Sequence, residues 1–333
     1  MAPVRVGLIG AGGIAGAHAQ GYRQLAVEGL VRVVGVCDAV PAAAARRARE
    51  LSAPHACSDY RDLLALDVDA VDICLPHDLH AEVALAAIAA GKHVLVEKPV
   101  ATTLEDAARM AQAARAGGLV LQVGHNERFD PQYQEIKRLV AEGALGAVFA
   151  ARADHNQNVR LPEAHWLRSA TRSGGGALIG SGIHRVDLLR WFLGDVQEVY
   201  SVQRVLEGRL EGEALALTTL RFRNGALATL STNWAVRRSP WYELMWLYGT
   251  EGSLHNVGGL HLDSERHAAC ADGFVQWPLP VRDSFTEEIR HFLDCAGQGR
   301  PPLVGGEEGM AALAVCLAAY RSAASGRPEP VAV

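Results

Sequence analysis

The sequence predicts an α/β protein in two parts: strand-helix units around a parallel sheet come first, and an α+β domain with a large, mainly antiparallel open sheet follows. Over the first ~125 residues, short β-branched runs alternate with alanine-rich helical stretches, the rhythm of repeated strand-helix-strand units. After about residue 145 the segments lengthen and alternate with a period of two. Asn224-Gly225 then marks a tight hairpin between two of them. The expected boundary divides the chain into 1–123 and 124–333.

Along the first part, Val4–Ile9, Val31–Cys37, 70–74 and 93–96 read as strands. Helices are expected at Ile14–Val27, 41–51 and 79–90. In the last, Val83, Ala84, Ala87 and Ile88 recur at helical spacing and Gly91 supplies the stop. A fifth unit has a helix at 103–116 and a strand at 120–123. In the second part, strands are expected at 197–206, 214–222, 226–234 and 242–249, one helix interrupts at 177–193, and helices close the chain near 284–296 and 307–324. No internal repeat is present.

Composition narrows the partners. With 333 residues, 49% hydrophobic and 21% charged, the chain can build two substantial cores. A net charge of -5 offers no basic stripe for nucleic acid. No segment approaches the ~20 uncharged apolar residues of a membrane span. Cys37, Cys57, Cys74, Cys270, Cys295 and Cys316 are scattered without paired spacing, and glycines interrupt residues 1–19 where a secretion signal has an apolar core. A cytoplasmic protein with reduced, buried thiols is expected. His155, His165 and His184 lack a metal-ligand spacing, so no metal is expected.

Gly10-Ala11-Gly12-Gly13-Ile14-Ala15 follows the first strand and opens a helix, the context of a Rossmann dinucleotide fingerprint. Gly10 permits the turn, Gly12 lets the backbone approach a pyrophosphate, Ala15 lets helix and strand pack closely, and free amides at the helix start face the anion. Asp38 ends the second strand, where a carboxylate accepts from both adenosine ribose hydroxyls and repels a 2'-phosphate. Ala39 and Val40 follow it rather than arginine, so NAD is expected ahead of NADP. The alternative for Asp38 is a helix cap before Pro41. Leu75-Pro76 closes the third strand and leads to His80, positions that line a dinucleotide. His77 and Asp78 read as an exposed loop pair.

The Gly10 loop, Leu75-Pro76 with His80, the run from Ala90 to Glu97-Lys98-Pro99, the segment Gly124-His125-Asn126-Glu127-Arg128-Phe129-Asp130-Pro131, and Gly174-Gly175-Gly176 leading to His184 and Asp187 together resemble the Gfo/Idh/MocA family (glucose-fructose oxidoreductase, inositol dehydrogenase, rhizopine catabolism). The resemblance covers nearly the whole chain. It implies a Rossmann domain followed by a mixed domain whose open sheet mediates homodimers or homotetramers, with the C-terminal helix packing back on the nucleotide domain. It also implies NAD(P)-dependent oxidation or reduction of a CH-OH carbon of a sugar, inositol or related polyol. By the same resemblance, Glu97 and Pro99 hold Lys98 at the nicotinamide, sometimes with a cis Lys-Pro bond, and Trp166 and Arg168 face substrate.

Hydride transfer from a hydroxyl-bearing carbon needs a base for the hydroxyl proton and a group that stabilises charge on oxygen. Lys98 suits the oxygen, its pKa lowered by partial burial, and a neutral His184 suits the proton. Asp187 either orients that imidazole or pairs with Arg185 or Arg190. Asn126 and Arg128 reach the nicotinamide end or substrate, and Arg128 alternatively pairs with Asp130. Asp154, His155 and Asn156 end a strand and are further substrate candidates. Many relatives have an aspartate one helical turn before the histidine; this chain has Gly180, leaving Ser181 as the polar neighbour. Two alternatives stand beside the dehydrogenase: an enzyme whose bound NAD cycles within one turnover during elimination, epimerisation or glycosidic cleavage, and a non-catalytic nucleotide- or sugar-binding sensor.

Overall fold

The computed structural model describes residues 2–332. It holds two compact units: the residues up to Phe129 with Arg282–Met310, and Asp130–Val281 with the residues from Ala311 on.

The first unit begins with β1 (Val4–Ile9), α1 (Ile14–Val27), β2 (Val31–Cys37), α2 (Pro41–Glu50), β3 (His55–Cys57), α3 (Tyr60–Leu64), β4 (Ala70–Ile73), α4 (His80–Ala89), β5 (His93–Glu97), α5 (Leu104–Ala116) and β6 (Leu121–Gly124). Its six strands lie in the order β3-β2-β1-β4-β5-β6 and every neighbouring pair is parallel. Strands flanked by helices on both faces are mainly apolar, and Leu8, Val36, Ile73 and Leu95 are accordingly sealed from water. Strand order reverses between β1 and β4, which opens a crevice at the carboxyl ends of those strands. The edge strand β3 was not expected: its three residues, His-Ala-Cys, carry no β-branched signal. Thr103 caps α5 by accepting from the Asp106 amide at 3.1 Å.

The second unit opens with α6 (Pro131–Ala141), which Asp130 caps through the Gln132 amide at 2.8 Å with Pro131 in the first turn. Then come β7 (Val148–Asn156), α7 (Ala170–Ser173), α8 (Ile183–Leu193), β8 (Val196–Arg204), β9 (Leu215–Phe222), β10 (Leu227–Asn233), β11 (Glu243–Gly249), β12 (Gly252–His255), β13 (His261–Ser264) and β14 (Val275–Gln276). The chain returns to the first unit for α9 (Ser284–Gln298), and closes with α10 (Gly306–Ser325) and β15 (Glu329–Pro330). The nine-stranded sheet runs β14-β13-β12-β11-β7-β10-β9-β8-β15. Its pairs are antiparallel except β7 with β10, which face one another after the helical excursion and the β8-β9-β10 meander.

Two departures bear on the site. The stretch expected as one helix at 177–193 is α8 preceded by a π turn at Leu178–Gly182, a widening that recurs at functional positions. The segment 282–310, expected in the second domain, belongs to the first unit. There α9, capped by Asp283 on the Thr286 amide at 2.8 Å, buries Ile289, Phe292 and Leu293 in the same core as Tyr22 and Leu25 of α1. Of α10, only the first turn belongs to that unit, with Gly309 packed on Val100 and Val123. A chain that leaves a domain and comes back has no local signature in sequence. All six cysteines are free, five of them buried and Cys57 partly so. Among the described residues no helix is long and apolar enough to cross a membrane.

Candidate active site

The glycine loop lies where β1 meets α1. Gly10 has φ +101°, and a Cβ there would overlap the Cys74 carbonyl oxygen, so only glycine fits. Gly12 and Gly13 differ: a Cβ on either meets nothing within 4 Å, which leaves the backbone open for a ligand to approach. Ala15 is fully buried against the sheet, and Ile14 is partly exposed at the helix start. Asp38 turns toward this loop. Its carboxylate accepts from the Ala11 and Val40 amides, each at 2.8 Å, while the cap position of α2 falls on Val40. A carboxylate fixed beside a glycine cradle, with lone pairs to spare, fits the ribose of a dinucleotide whose pyrophosphate sits on the loop. Arg47 of α2 also reaches the loop, donating to the Gly12 carbonyl at 3.3 Å. Nothing near Asp38 in the sequence marks it.

Lys98 follows β5 and is half-buried. Its backbone is pinned from both sides. Before it, Glu97 is buried and its Oε2 accepts from the Lys98 amide at 3.0 Å; after it, the Lys98-Pro99 peptide is cis and the Pro99 carbonyl lies 2.8 Å from His80 Nδ1. The other nitrogen of His80 lies 2.9 Å from the Leu75 carbonyl, so one buried imidazole joins the Leu75-Pro76 turn to the residue after the lysine. Burial lowers the His80 pKa. Burial also pushes the Lys98 amine below its ordinary range, against the opposing pull of Glu97 and Glu127. His77, expected exposed, is buried with its ring 5.6 Å from that of His80, because the chain coils tightly at His77–Leu79.

Behind Glu97 lies a group without sequence signal. His18 of α1 is fully buried, 2.7 Å from Asp72 Oδ2 and 3.1 Å from Glu97 Oε1. Ligand-type atoms of His18, Asp72 and Cys74 come within 4.8 Å of one another, a grouping that linear spacing did not suggest. Hydrogen bonds to Asp72 account for it, from the imidazole at 2.7 Å and from the Cys74 thiol at 3.6 Å. Beyond β6, Asn126 donates to Ser284 Oγ at 2.9 Å, and buried Arg128 donates to the Leu303 carbonyl at 3.5 Å. Both thus hold the returning segment in place.

In the second unit His184 stands in the first turn of α8 and is partly buried. The π turn before it is built by groups the sequence did not reveal. Buried Glu213 accepts from the Leu178 amide at 2.7 Å and from the Tyr320 hydroxyl at 3.1 Å, and Tyr320 in turn accepts from the Gly176 and Ile179 amides at 3.2 and 3.3 Å. Burial pushes the Glu213 carboxyl up. Any side chain at Gly176 would overlap the Glu213 backbone, hence the glycines. Gly180 has an equally direct cause: a Cβ there would overlap the Trp234 indole. That indole donates to Ser181 Oγ at 2.7 Å, and Ser181 donates to Gln157 Oε1 at 3.0 Å. Asp187 is buried; Arg185 reaches Glu243 at 3.2 Å and Arg190 reaches Asp195 at 2.8 Å. His155, at the end of β7, is buried with its ring 5.1 Å from Tyr242, near Asp154 and Asn156 in the same strand. Trp166 stacks on His165, and Arg168 ties two loops through the Leu161 and Gly208 carbonyls at 3.4 and 2.9 Å.

Comparison with known proteins bears on the family and the fold. Residues 4–125 match the model of an oxidoreductase family with an NAD-binding Rossmann fold, and residues 133–255 match the GFO/IDH/MocA C-terminal domain. The chain is 33% identical to the 1,5-anhydro-D-fructose reductase of Ensifer adhaerens over 80% of each protein. It is 29% identical to the myo-inositol 2-dehydrogenase of Thermotoga maritima over 96% of each. A solved structure of levoglucosan dehydrogenase with NADH and levoglucosan superposes with a TM-score of 0.91 at 26% identity, covering 99% of both chains.

Proposed function

The chain belongs to the GFO/IDH/MocA family of NAD-binding oxidoreductases, and on that premise we propose that it is an NAD-dependent dehydrogenase of a sugar, an inositol or a related polyol. One observation carries the reading: a lysine whose amine is pushed down by burial, its backbone pinned by Glu97 and His80, follows β5 in the unit that holds the glycine cradle. The names of the relatives, a reductase of an anhydro sugar and dehydrogenases of myo-inositol and levoglucosan, support a polyhydroxylated ring as substrate.

Bound NAD supplies the hydride acceptor. Amides of Gly12, Gly13 and Ile14 receive the pyrophosphate, Asp38 takes the ribose hydroxyls, and Leu75, Pro76, His80 and Asn126 line the cofactor. Lys98 donates to the reacting oxygen and stabilises its growing negative charge. His184 accepts the hydroxyl proton, so carbon loses hydride and oxygen loses a proton in one oxidation. Arg128, His155, Trp166, Arg168 and Ser181 fix the substrate. The exposed face of the nine-stranded sheet supports a homodimer or homotetramer: Val202 and Leu217 are cross-strand partners, 55% and 50% exposed, with Leu227 on the next strand also 50% exposed.

The test is a screen of sugars, anhydro sugars and inositols at the absorbance of reduced nicotinamide, run with NAD and with NADP. Reduction of NAD by a member of that set is expected. A clear preference for NADP would remove the role of Asp38. Turnover with bound cofactor and no net absorbance change would replace the dehydrogenase by an enzyme that recycles NAD.

A further inference from the structure

We propose that His18 is a positioning residue for Lys98: held as an imidazolium between Asp72 and Glu97, it keeps the Glu97 carboxylate ionised and in place behind the lysine. A neutral imidazole has one donor and one acceptor, yet both ring nitrogens of His18 face carboxylate oxygens, at 2.7 and 3.1 Å. Ionised carboxylates only accept. The ring with its two carboxylates is therefore satisfied only when it carries one proton more than a neutral ring supplies.

A second buried glutamate shows what this does. Glu288 of α9 faces the same cluster, and neither of its carboxyl oxygens has a hydrogen-bond partner among the described residues. Burial holds its carboxyl well above the usual range. Glu97 is also sealed from water, and burial pushes it the same way, but the bond to His18, the charge on His18 and the charge on Lys98 bring it below the usual range. The two glutamates differ in their company. Burial likewise opposes charge on His18 itself, and Asp72 together with Cys74 outweighs it. The remaining groups around the ring are Tyr22 on its own helix, Cys74 just after β4, whose thiol burial pushes up to about 12, and the Phe285 ring of α9 at 5.5 Å. Around Lys98 stand Glu97 and Glu127, both favouring the ammonium form.

Without the imidazolium, Glu97 takes up a proton as Glu288 does, and Lys98 loses its negative neighbour. Burial then lowers the lysine further. The catalytic consequence rests on the role given to Lys98 above, whereas the charge network stands on these contacts alone, so the test reads the lysine directly. The chain has three lysines, Lys92, Lys98 and Lys137, and 13C-labelled lysine side chains titrated by NMR separate them. In His18→Gln the Lys98 midpoint should fall by about one pH unit, with Lys92 and Lys137 unmoved. Glu97→Gln should lower it too, and His18→Gln should add nothing in that background. An unmoved Lys98 midpoint in His18→Gln, or an equal fall with and without Glu97, would overturn the proposal. Should His18→Gln not fold, 15N spectra of the wild-type ring decide: both nitrogens protonated at pH 7 is the expected result, and a neutral ring at that pH the contrary one. Failure of Lys98 as a catalyst appears separately, as full turnover in Lys98→Ala while the Lys98 midpoint still falls in His18→Gln.

Discussion

Trp234 explains why position 180 carries no side chain. Its indole fills the space a Cβ would need, while its N–H holds Ser181. A carboxylate one turn before His184 would need the space this tryptophan occupies. Gly180→Ala should cost roughly 1–3 kcal/mol by overpacking, measured by urea unfolding. In a Trp234→Ala background the same change should cost clearly less, because the two sites share one space. Equal cost in both backgrounds would contradict the steric reading. At this scale the sequence marked Gly10, Asp38, Glu97, Lys98 and His184, since each sits in a pattern with a mechanism. It could not mark His18, Arg47, Glu213 or Tyr320, whose partners lie far along the chain: His18 reads as one more polar residue in a helix until β4 and β5 bring Asp72 and Glu97 to it.

Among the elements, α9 carries a buried acid into the core of the first unit. The Glu288 carboxyl is held well above its usual range by burial, so the fold keeps this proton at pH values where the unfolded chain, with glutamate near ~4.3, has released it. The stability that goes with the protonated form is present below the unfolded value and is lost as pH rises toward the folded one. Glu288→Gln removes that loss. It should raise stability more at pH 8 than at pH 5, which thermal melts at the two pH values check; an equal gain at both would count against a proton held on Glu288. Elements with a strong period were legible: β1, α1, β2 and β5 fall where alternation and helical spacing placed them. Of the features that were not, three have a clear physical reason. The edge strand β3 is too short to show a period, the π turn is set by contacts of Glu213 and Tyr320 rather than by local propensity, and the return of α9 is decided by long-range packing.

At the scale of the whole molecule, the proposed function gives each unit its own part. The first offers the cradle and the pinned lysine; the second offers His184 and an open sheet. If that sheet joins two copies, Leu217→Glu places a charge in its apolar row beside Val202 and should shift sedimentation to the monomer, with the thermal unfolding of the protomer little changed. An unaltered assembly would move the interface elsewhere. The parallel-then-antiparallel plan of the two units was readable from the rhythm of the chain, but their composition from discontinuous segments was not. In the proposed reaction the chemistry converges on Lys98. Steady-state kcat of Lys98→Ala, with NAD binding confirmed by fluorescence and a substrate established for the wild type, is the most direct measurement. Loss of about 10²–10⁴-fold in kcat with cofactor affinity kept is the expected result; full turnover would contradict the role of Lys98.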